Sequence, residues 1–571
     1  MTRHPESLDG RVDVLVLGGG VLGIALTRLL ARTGIRVALV ERGDFGGETT
    51  RNSLKIMHGG FRYIQHLDVP RIRESVRAQR AWLSAAPHLT RPLRFTIPTA
   101  GWGVRGPLAL GAGMVLYRLL AGDRNRGLPR GVVLPRMALG SSASFRRRFP
   151  EIQAGRINGC ASWVDAQILD SGRLMTECIA DAAAAGALVL NHVEAVGLLR
   201  SGNRIAGAAL RDRLTGRDYE LRAAVTVGAL GAWAAGLIRA SGIAPPASSQ
   251  LTWTRNVNIV LKEPLVAGEA VGVMSERRGG DTGRPARLYF MTPWHDVSIV
   301  GTAHDVYRGD PDALAIDESE VDGLLHEMGA MVAGRRLSLD DVACVHMGLT
   351  PWEDTGRQGA RRAIIADYTR RAELDGYLEV TANKYTTAPT VARTVARKVL
   401  RRLSSARSLA DFGRPLPSAP AAPGWLEPAA AAAKTGERER AWVRVVYGTR
   451  SDQVLALADA ESAADPVERV FRARVRFGVR EELAVRLGDA LFRCSDLAER
   501  GRLEPAHVRW CADYMARELR WPDERRAAEI DLVLRLLRRH MSGGRGASWL
   551  GLDQGSAAVG RPHAAPTVLN A

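Results

Sequence analysis

Lysine and cysteine are both scarce in this chain of 571 residues. The cysteines, Cys160, Cys178, Cys344, Cys494 and Cys511, are odd in number, widely scattered and without CxxC spacing. That pattern excludes a disulfide-framed fold and a zinc site, and it predicts reduced thiols in a cytoplasmic protein. No His, Cys, Asp or Glu group shows metal-ligand spacing, so no metal is expected. The opening MTRHPESLDGRVDVLVLGGG is polar before its first apolar run and has no small-residue cleavage site, so no signal peptide is expected. Long hydrophobic runs are missing as well. The best candidate, GPLALGAGMVLYRLLAG at Gly106–Gly122, is short and is interrupted by Arg118. A span needs about 20 apolar residues, and no transmembrane helix is expected.

What is present is a composition of 46% hydrophobic and 25% charged residues, ordinary for a globular enzyme, in a length that suits roughly three to four domain-sized units. The formal net charge of +18 is concentrated in one place. Between Arg62 and Arg148 sixteen arginines face only Asp68, Glu74 and Asp123. No RNP motif, zinc finger or helix-turn-helix accompanies that stretch, so nucleic acid is not expected as a partner. An anionic membrane surface or an acidic substrate suits it as well, beside the plain alternative of a solvated basic face.

The segment Val12–Asp44 reads as strand, glycine turn, helix and second strand, a complete βαβ unit. Strands recur over Leu188–Arg200 and Arg204–Ala234, after an alanine-rich helix at Ser171–Ala185, and again at Asn256–Lys262, ARLYFMTP and VSIVGTA. The later ones alternate apolar and polar residues, as an antiparallel sheet with one wet face would. A Pro- and Ala-rich stretch at 418–440 reads as a linker. Residues 441–539 follow with helical periodicity and starts such as DPVERVF and EPAHVRW, and a Gly/Ser/Ala/Pro-rich tail begins at Met541.

Gly18-Gly19-Gly20-Val21-Leu22-Gly23 fits G-x-G-x-x-G, a weak signal alone. Here it follows a strand, opens a helix and precedes Glu41 at the end of the next strand, which makes it a dinucleotide fingerprint. Gly18 serves the tight turn, Gly20 the approach of a pyrophosphate to the helix N-terminus, Gly23 close helix–strand packing, and Glu41 a ribose hydroxyl.

The continuation, ERGDFGGETTRNSLKIMHGGFRYIQHLDVPRIRES, resembles the flavin-binding segment of the FAD-dependent glycerol-3-phosphate dehydrogenases, members of the D-amino-acid-oxidase-like superfamily. Their pattern is approximately E-x-x-D-F-x-x-x-T-S-S-x-S-S-K-L-I-H-G-G-x-R-Y-L. The resemblance runs on through ASWVDAQILDSGRLMTECIADAAAAGA, GALGAWA, FMTPWHDVSIVGTAHDVYRGDP, ADY and NKYTT, and into the helical part, from about Val12 to about Leu537. It implies a Rossmann-like α/β FAD-binding domain with an interleaved antiparallel substrate domain, and an all-α C-terminal domain. The boundaries expected are 10–75, 160–240 and 355–405 for the FAD domain, 76–159 and 241–354 for the substrate domain, 406–440 for the linker, 441–540 for the helical domain, and 541–571 for a disordered tail.

The resemblance also implies site residues. Thr49, Thr50, Asn52 and Ser53 would thread past the flavin, and His58, Gly59 and Gly60 would bring backbone against its ring. Arg42, Val193, Gly231, Trp233, Tyr385 and Thr386 would complete the cofactor contacts. Arg62, a fixed fork for an anion, and Tyr63, a donor at the pocket edge, would meet substrate. Lys384 matches the family's active-site lysine, able to bind an anionic substrate or to stabilise charge on the reduced ring. No residue marks a covalent flavin attachment. Two positions depart from the family. Gly348-Leu349-Thr350-Pro351-Trp352 stands where it has G-V-R-P-L, and Asn258, in RNVNIVL, stands where it has a histidine. Both departures fall on groups expected to touch substrate.

The expected function is oxidation of sn-glycerol 3-phosphate to dihydroxyacetone phosphate by hydride transfer to flavin N5, with a quinone as acceptor. The alternatives are a diverged flavin oxidase or dehydrogenase acting on another hydroxy or amino compound, and a flavin-binding protein without turnover. A location on the inner face of the cytoplasmic membrane is compatible with the basic stretch. The oligomeric state stays open, a homodimer included.

Overall fold

The structure is a computed structural model that describes the chain apart from residues 2, 9, 104, 244–250, 276–286, 353–361, 370–373, 421–434 and 541–571. Its first sheet is built around strand Gly10–Leu17, flanked in parallel by Val37–Val40 and Asp218–Gly228. Leu188–Leu190 and Tyr377–Thr381 extend it in parallel on either side, Ile364–Asp367 closes one edge antiparallel, and Val193–Ser201 and Arg204–Asp212 form an antiparallel extension from Asp218–Gly228. Successive side chains of a strand point to opposite faces. Val14 and Val16 accordingly join the core under helices Val21–Ala31, Ser171–Ala184 and Ala388–Arg402, while Leu15 and Leu17 join Leu210, Leu221 and Tyr377 on the other side. A strand buried on both faces reads as the continuous apolar run VLVL, which is why this unit is plain in the sequence.

Among the described residues the second sheet has nine strands, antiparallel except where Ala270–Met274 runs parallel to Thr90–Thr99. Helix Glu318–Gly329 covers one face through Val321, Leu325 and Met328, packed on Val257 and Ile259. The intervening Asn256 and Asn258 point the other way, toward a cavity between the sheets.

Two expected boundaries shift. Strand Gly159–Ile168, placed by sequence in the FAD unit, pairs along its whole length with Thr90–Thr99 in the second sheet, and Ile56–Met57 pairs with it too. Residues 406–420 are no free linker. Arg28, fully buried, donates to the carbonyls of Phe412 (2.7 Å) and Arg414 (2.8 Å), and Phe412 and Leu416 enter the core. The rest of the expected linker, 421–434, and the expected tail, 541–571, lie outside the described residues.

The C-terminal domain runs from helix Thr435–Tyr447 to helix Asp523–His540. Asp465, before Pro466, accepts from the Val467 N–H and caps Pro466–Glu481 as the DPVERVF run predicts. Buried ion pairs dock this domain on helix Ser171–Ala184, Arg173 with Glu482 (2.7 Å) and Arg474 with Asp170 (3.0 Å). Pairs of this kind fix one arrangement more than they add stability, because desolvation offsets much of the attraction. Among the described residues no helix is long and apolar enough to cross a membrane.

Candidate active site

The glycine turn is forced by the chain at two of its three positions. Gly18 has φ +101°, and a Cβ there would lie 2.6 Å from the Ala229 carbonyl oxygen. A Cβ on Gly23 would lie 1.9 Å from the Gly18 carbonyl oxygen. Gly20 is different: a Cβ there would meet only Thr50 Oγ1, at 3.4 Å, so the protein itself does not demand glycine. Gly20 lines the cavity and starts helix Val21–Ala31 with no capping side chain of its own, leaving Val21 N–H to donate to Thr50 Oγ1 (3.0 Å). An uncapped helix N-terminus facing a cavity attracts phosphate.

Glu41 follows the second strand. Its carboxylate accepts from the N–H of Gly19 and of Gly43, both at 2.7 Å. Burial pushes its pKa up against those two donors. Each oxygen retains acceptor capacity for a ribose hydroxyl. The cavity, about 970 Å³, extends from this turn between the two sheets. Val193, Gly231 and Trp233 wall one part of it, and Thr49, Thr50, Asn52 and Ser53 another. Thr49 Oγ1 exchanges hydrogen bonds with the backbone of Leu349 (3.0 and 3.2 Å), and Asn52 Nδ2 donates to the Glu48 carbonyl (3.0 Å). These side chains hold the wall in shape. The size, the helix end and the Glu41 acceptor fit a dinucleotide.

Arg42 stacks over the Trp233 ring (4.7 Å) and is ion-paired with Asp312, which also accepts from Trp233 Nε1 (2.8 Å). Asp312 went unnoticed in the sequence because nothing local marks it. It arrives from a short turn after strand Val297–Tyr307.

The stretch His58–Tyr63 departs from its expected placement. The resemblance sets His58, Gly59 and Gly60 against the cofactor ring, yet none of them lines the cavity. Gly59 is committed on both sides, its N–H to Asp165 (2.6 Å) and its carbonyl to the Tyr117 hydroxyl (2.9 Å). His58 N–H donates to Thr386 Oγ1 (3.2 Å), so Thr386 supports that turn and is absent from the cavity wall. Burial, with Arg62 and Lys384 nearby, holds the His58 ring neutral.

Lys384 does reach the wall, as does Tyr385. The Lys384 Nζ lies 4.5 Å from the centre of the Tyr63 ring, and Arg62, otherwise exposed, donates to the Tyr63 hydroxyl (3.3 Å). Burial lowers the Lys384 pKa, only partly opposed by Tyr63. Burial would raise that of Tyr63, but the charges of Arg62 and Lys384 outweigh it and the net shift is down. The three predicted catalytic residues are thus brought together as one cationic cluster around a phenol.

On the facing sheet Asn258 is 2% exposed, its amide donating to the Asn52 carbonyl (3.3 Å) and accepting from the Thr302 hydroxyl (2.8 Å). Thr350 lines the cavity and accepts from Asn256 Nδ2 (2.8 Å). Asn256 was missed, although it sits two residues from Asn258 on the same strand face, a signal the alternation carries. Arg255, one residue over, faces away, paired with Glu320 and the Ala315 carbonyl, and supplies no charge here. Arg308 lines the cavity in its place. One cluster of metal-capable side chains, Asp44, His192 and Asp489, is internally matched: Arg493 and Asn191 bind Asp44 (2.7 and 3.0 Å), and His192 binds Asp489 (3.0 Å).

Comparison with known proteins places this geometry. Residues 13–398 match the family described as FAD dependent oxidoreductase, and residues 429–526 match the C-terminal domain of alpha-glycerophosphate oxidase. The glycerol-3-phosphate dehydrogenase of Synechocystis sp. is 29% identical over 521 residues, 87% of this chain and 91% of that protein. The alpha-glycerophosphate oxidase of Streptococcus pneumoniae is 27% identical over 344 residues, 60% of this chain and 54% of the oxidase. The crystal structure of the glycerol-3-phosphate dehydrogenase from Bacillus halodurans complexed with FAD superposes with a TM-score of 0.73 at 20% identity, covering 94% of this chain and 97% of that one. With its glycine turn, its cavity and its two-sheet frame, this chain belongs to the FAD-dependent oxidoreductase family.

Proposed function

We propose that this enzyme oxidises sn-glycerol 3-phosphate to dihydroxyacetone phosphate and passes the electrons to a membrane quinone. The observation that carries the reading is Lys384 on the cavity wall with Arg62 beside it on Tyr63, a cationic cluster suited to a phosphate monoester. The similarity to proteins named as glycerol-3-phosphate dehydrogenases supports it. When bound, FAD supplies the hydride acceptor. Gly20 and the helix end behind it hold the pyrophosphate, Glu41 the ribose, and the Thr49–Ser53 wall the ring system. Lys384 holds the substrate anion and fixes which carbon faces the wall. The test is anaerobic reduction of the bound flavin by glycerol 3-phosphate beside a panel of hydroxy acids and amines.

A second reading, a related dehydrogenase for another hydroxy or amino compound, is favoured by the neutral Asn256–Thr350 pair. Threonine offers one hydroxyl where an arginine would offer charge-assisted bonds of roughly 1.5–3 kcal/mol. Thr350→Arg is therefore expected to raise kcat/KM for glycerol 3-phosphate by about tenfold to a hundredfold, at 1.4 kcal/mol per decade. Steady-state kinetics checks this, and a fall in kcat/KM would mean that another residue already holds the phosphate. Asn258 is best left alone in that experiment. Its amide is spent on Asn52 and Thr302, and it fills the space beside Gly301, where an added Cβ would lie 2.2 Å from its Oδ1.

The proposal includes a seat on an anionic membrane. Helix Pro107–Leu120 turns Met114 and Tyr117 inward and presents Leu108, Ala112, Val115 and Leu119 as an outward apolar stripe. Leu119 is 75% exposed and nearby Trp102 80%. Asp123 is neutralised by Arg73 and Arg80, whereas the exposed Arg105, Arg118, Arg126, Arg130 and Arg136 have no carboxylate partner among the described residues. Apolar side chains ringed by cations suit a headgroup boundary, where each basic group contributes about 1 kcal/mol. Sedimentation with anionic vesicles should fall as salt rises, and Leu119→Glu should weaken it. Equal partitioning onto neutral and anionic vesicles at low salt would refute the seat.

A further inference from the structure

The turn-rich segment from Asp44 to Lys55 is held from behind. Asp44, Glu48, Thr49, Thr50, Asn52 and Ser53 line the cofactor cavity. Asp44, Glu48, Arg51 and Lys55 recur every three or four residues, and each takes a contact from the helical C-terminal domain. Arg493 Nε donates to Asp44 (2.7 Å), Arg539 pairs with Glu48 (3.3 Å), and the Arg51 guanidinium lies over the Phe492 ring (4.5 Å). Lys55, fully buried at φ +62°, donates to Glu499 (2.6 Å), to the Ser171 hydroxyl (2.8 Å) and to the Arg51 carbonyl (2.5 Å). The carbonyl of Glu499 in turn bonds His346 Nε2 (2.8 Å) on strand Val342–Trp352, which also supplies the cavity-lining Thr350.

Turns without a ladder of their own hold a shape only as well as their side-chain contacts do. Here each of these four residues takes a contact from a residue more than 400 positions further along the chain, beside the nearer Ser171, Asn191 and Trp294. We propose that the helical C-terminal domain is the back half of the flavin site: Phe492, Arg493, Glu499 and Arg539 act as positioning residues that fix the cofactor wall without touching the cavity. Flavin affinity and docking of the helical domain are then one coupled equilibrium, and each must strengthen the other by the same factor. The inference rests on FAD as ligand and is independent of which substrate is oxidised.

The test titrates FAD into full-length apoprotein by flavin fluorescence. Glu499→Gln, which removes the charge facing Lys55, should raise the Kd about tenfold, within the usual range for coupled sites. Arg539→Ala, which also gives up bonds to the Leu314 and Pro311 carbonyls, should raise it by about threefold, with Arg535→Ala on the same helix unchanged because its pairing among the described residues is with Asp531. Amide exchange in residues 505–540 should slow when FAD binds. If Glu499→Gln does not fold, Arg539→Ala and the exchange measurement decide. An unaltered Kd in Arg539→Ala together with FAD-independent exchange would overturn the proposal, as would a lowered Tm in both variants with no change in Kd.

Discussion

Gly20→Leu is expected to give a folded protein that has lost its yellow colour. The three glycines of the fingerprint differ in what demands them. A Cβ at Gly18 or Gly23 would lie 2.6 or 1.9 Å from a backbone oxygen, so side chains there strain the fold itself. Gly20 has ordinary room, and its constraint comes from the pyrophosphate that must approach the helix end. A leucine side chain at Gly20 would take that space and cost the N–H contacts to phosphate. Charge-assisted bonds contribute roughly 1.5–3 kcal/mol each, so losing two weakens FAD binding by at least about a hundredfold. Visible absorbance after gel filtration, beside the far-UV circular dichroism and the Tm, reads both halves of the expectation. Retained flavin would place the pyrophosphate elsewhere, and Gly23→Leu should instead yield aggregated or unfolded material.

The second large effect is expected at Lys384. Removing its charge with Lys384→Met should lower kcat/KM for glycerol 3-phosphate by about 10²–10³, the scale seen when a preorganised electrostatic contact is lost from a water-poor site. Lys384→Arg should recover part of it. The pH profile adds a check that a structural role would not meet. Burial depresses the Lys384 pKa below its ordinary value, so the ammonium is present at low pH and is lost as pH rises through that lowered pKa. An alkaline limb in kcat/KM should therefore begin below the usual lysine range, vanish in Lys384→Met, and move beyond the accessible range in Lys384→Arg, since arginine stays charged. A profile unchanged by Lys384→Met would assign the anion to Arg62 or Arg308.

How much of this was legible depended on whether the signal was local. The glycine turn, Glu41 and the VLVL strand sit within thirty-two residues of each other, so sequence reading placed them in the strand, turn, helix and second strand where the structure has them. The three catalytic candidates came from motif resemblance, and the fold does assemble them. What failed was pairing. The segment ASWVDAQI, buried on both faces, does not show which strand lies alongside, and the range 160–240 put Gly159–Ile168 with the FAD unit whereas it pairs with Thr90–Thr99. The resemblance sets Gly59 and Gly60 against the cofactor ring, and it could not show that Gly59 is held by Asp165 and Tyr117, which are distant in sequence. Asp312, Arg493 and Glu499 were invisible for the same reason. A charged residue shows its partner only after folding.

Between Asn256 and Ile259, strand Thr252–Leu261 divides its labour by parity. Even-numbered Asn256 and Asn258 border the substrate cavity, while odd-numbered Val257 and Ile259 lie in the core under helix Glu318–Gly329. Cutting back an odd position opens a cavity and costs about 1–5 kcal/mol, depending on how much is removed. An even position can change what the pocket reads while leaving that core untouched. A lineage could therefore alter substrate preference here in steps that selection for folding does not oppose, and drift away from a phosphate-gripping pocket would leave its mark on 256 and 258 while 257 and 259 stay apolar.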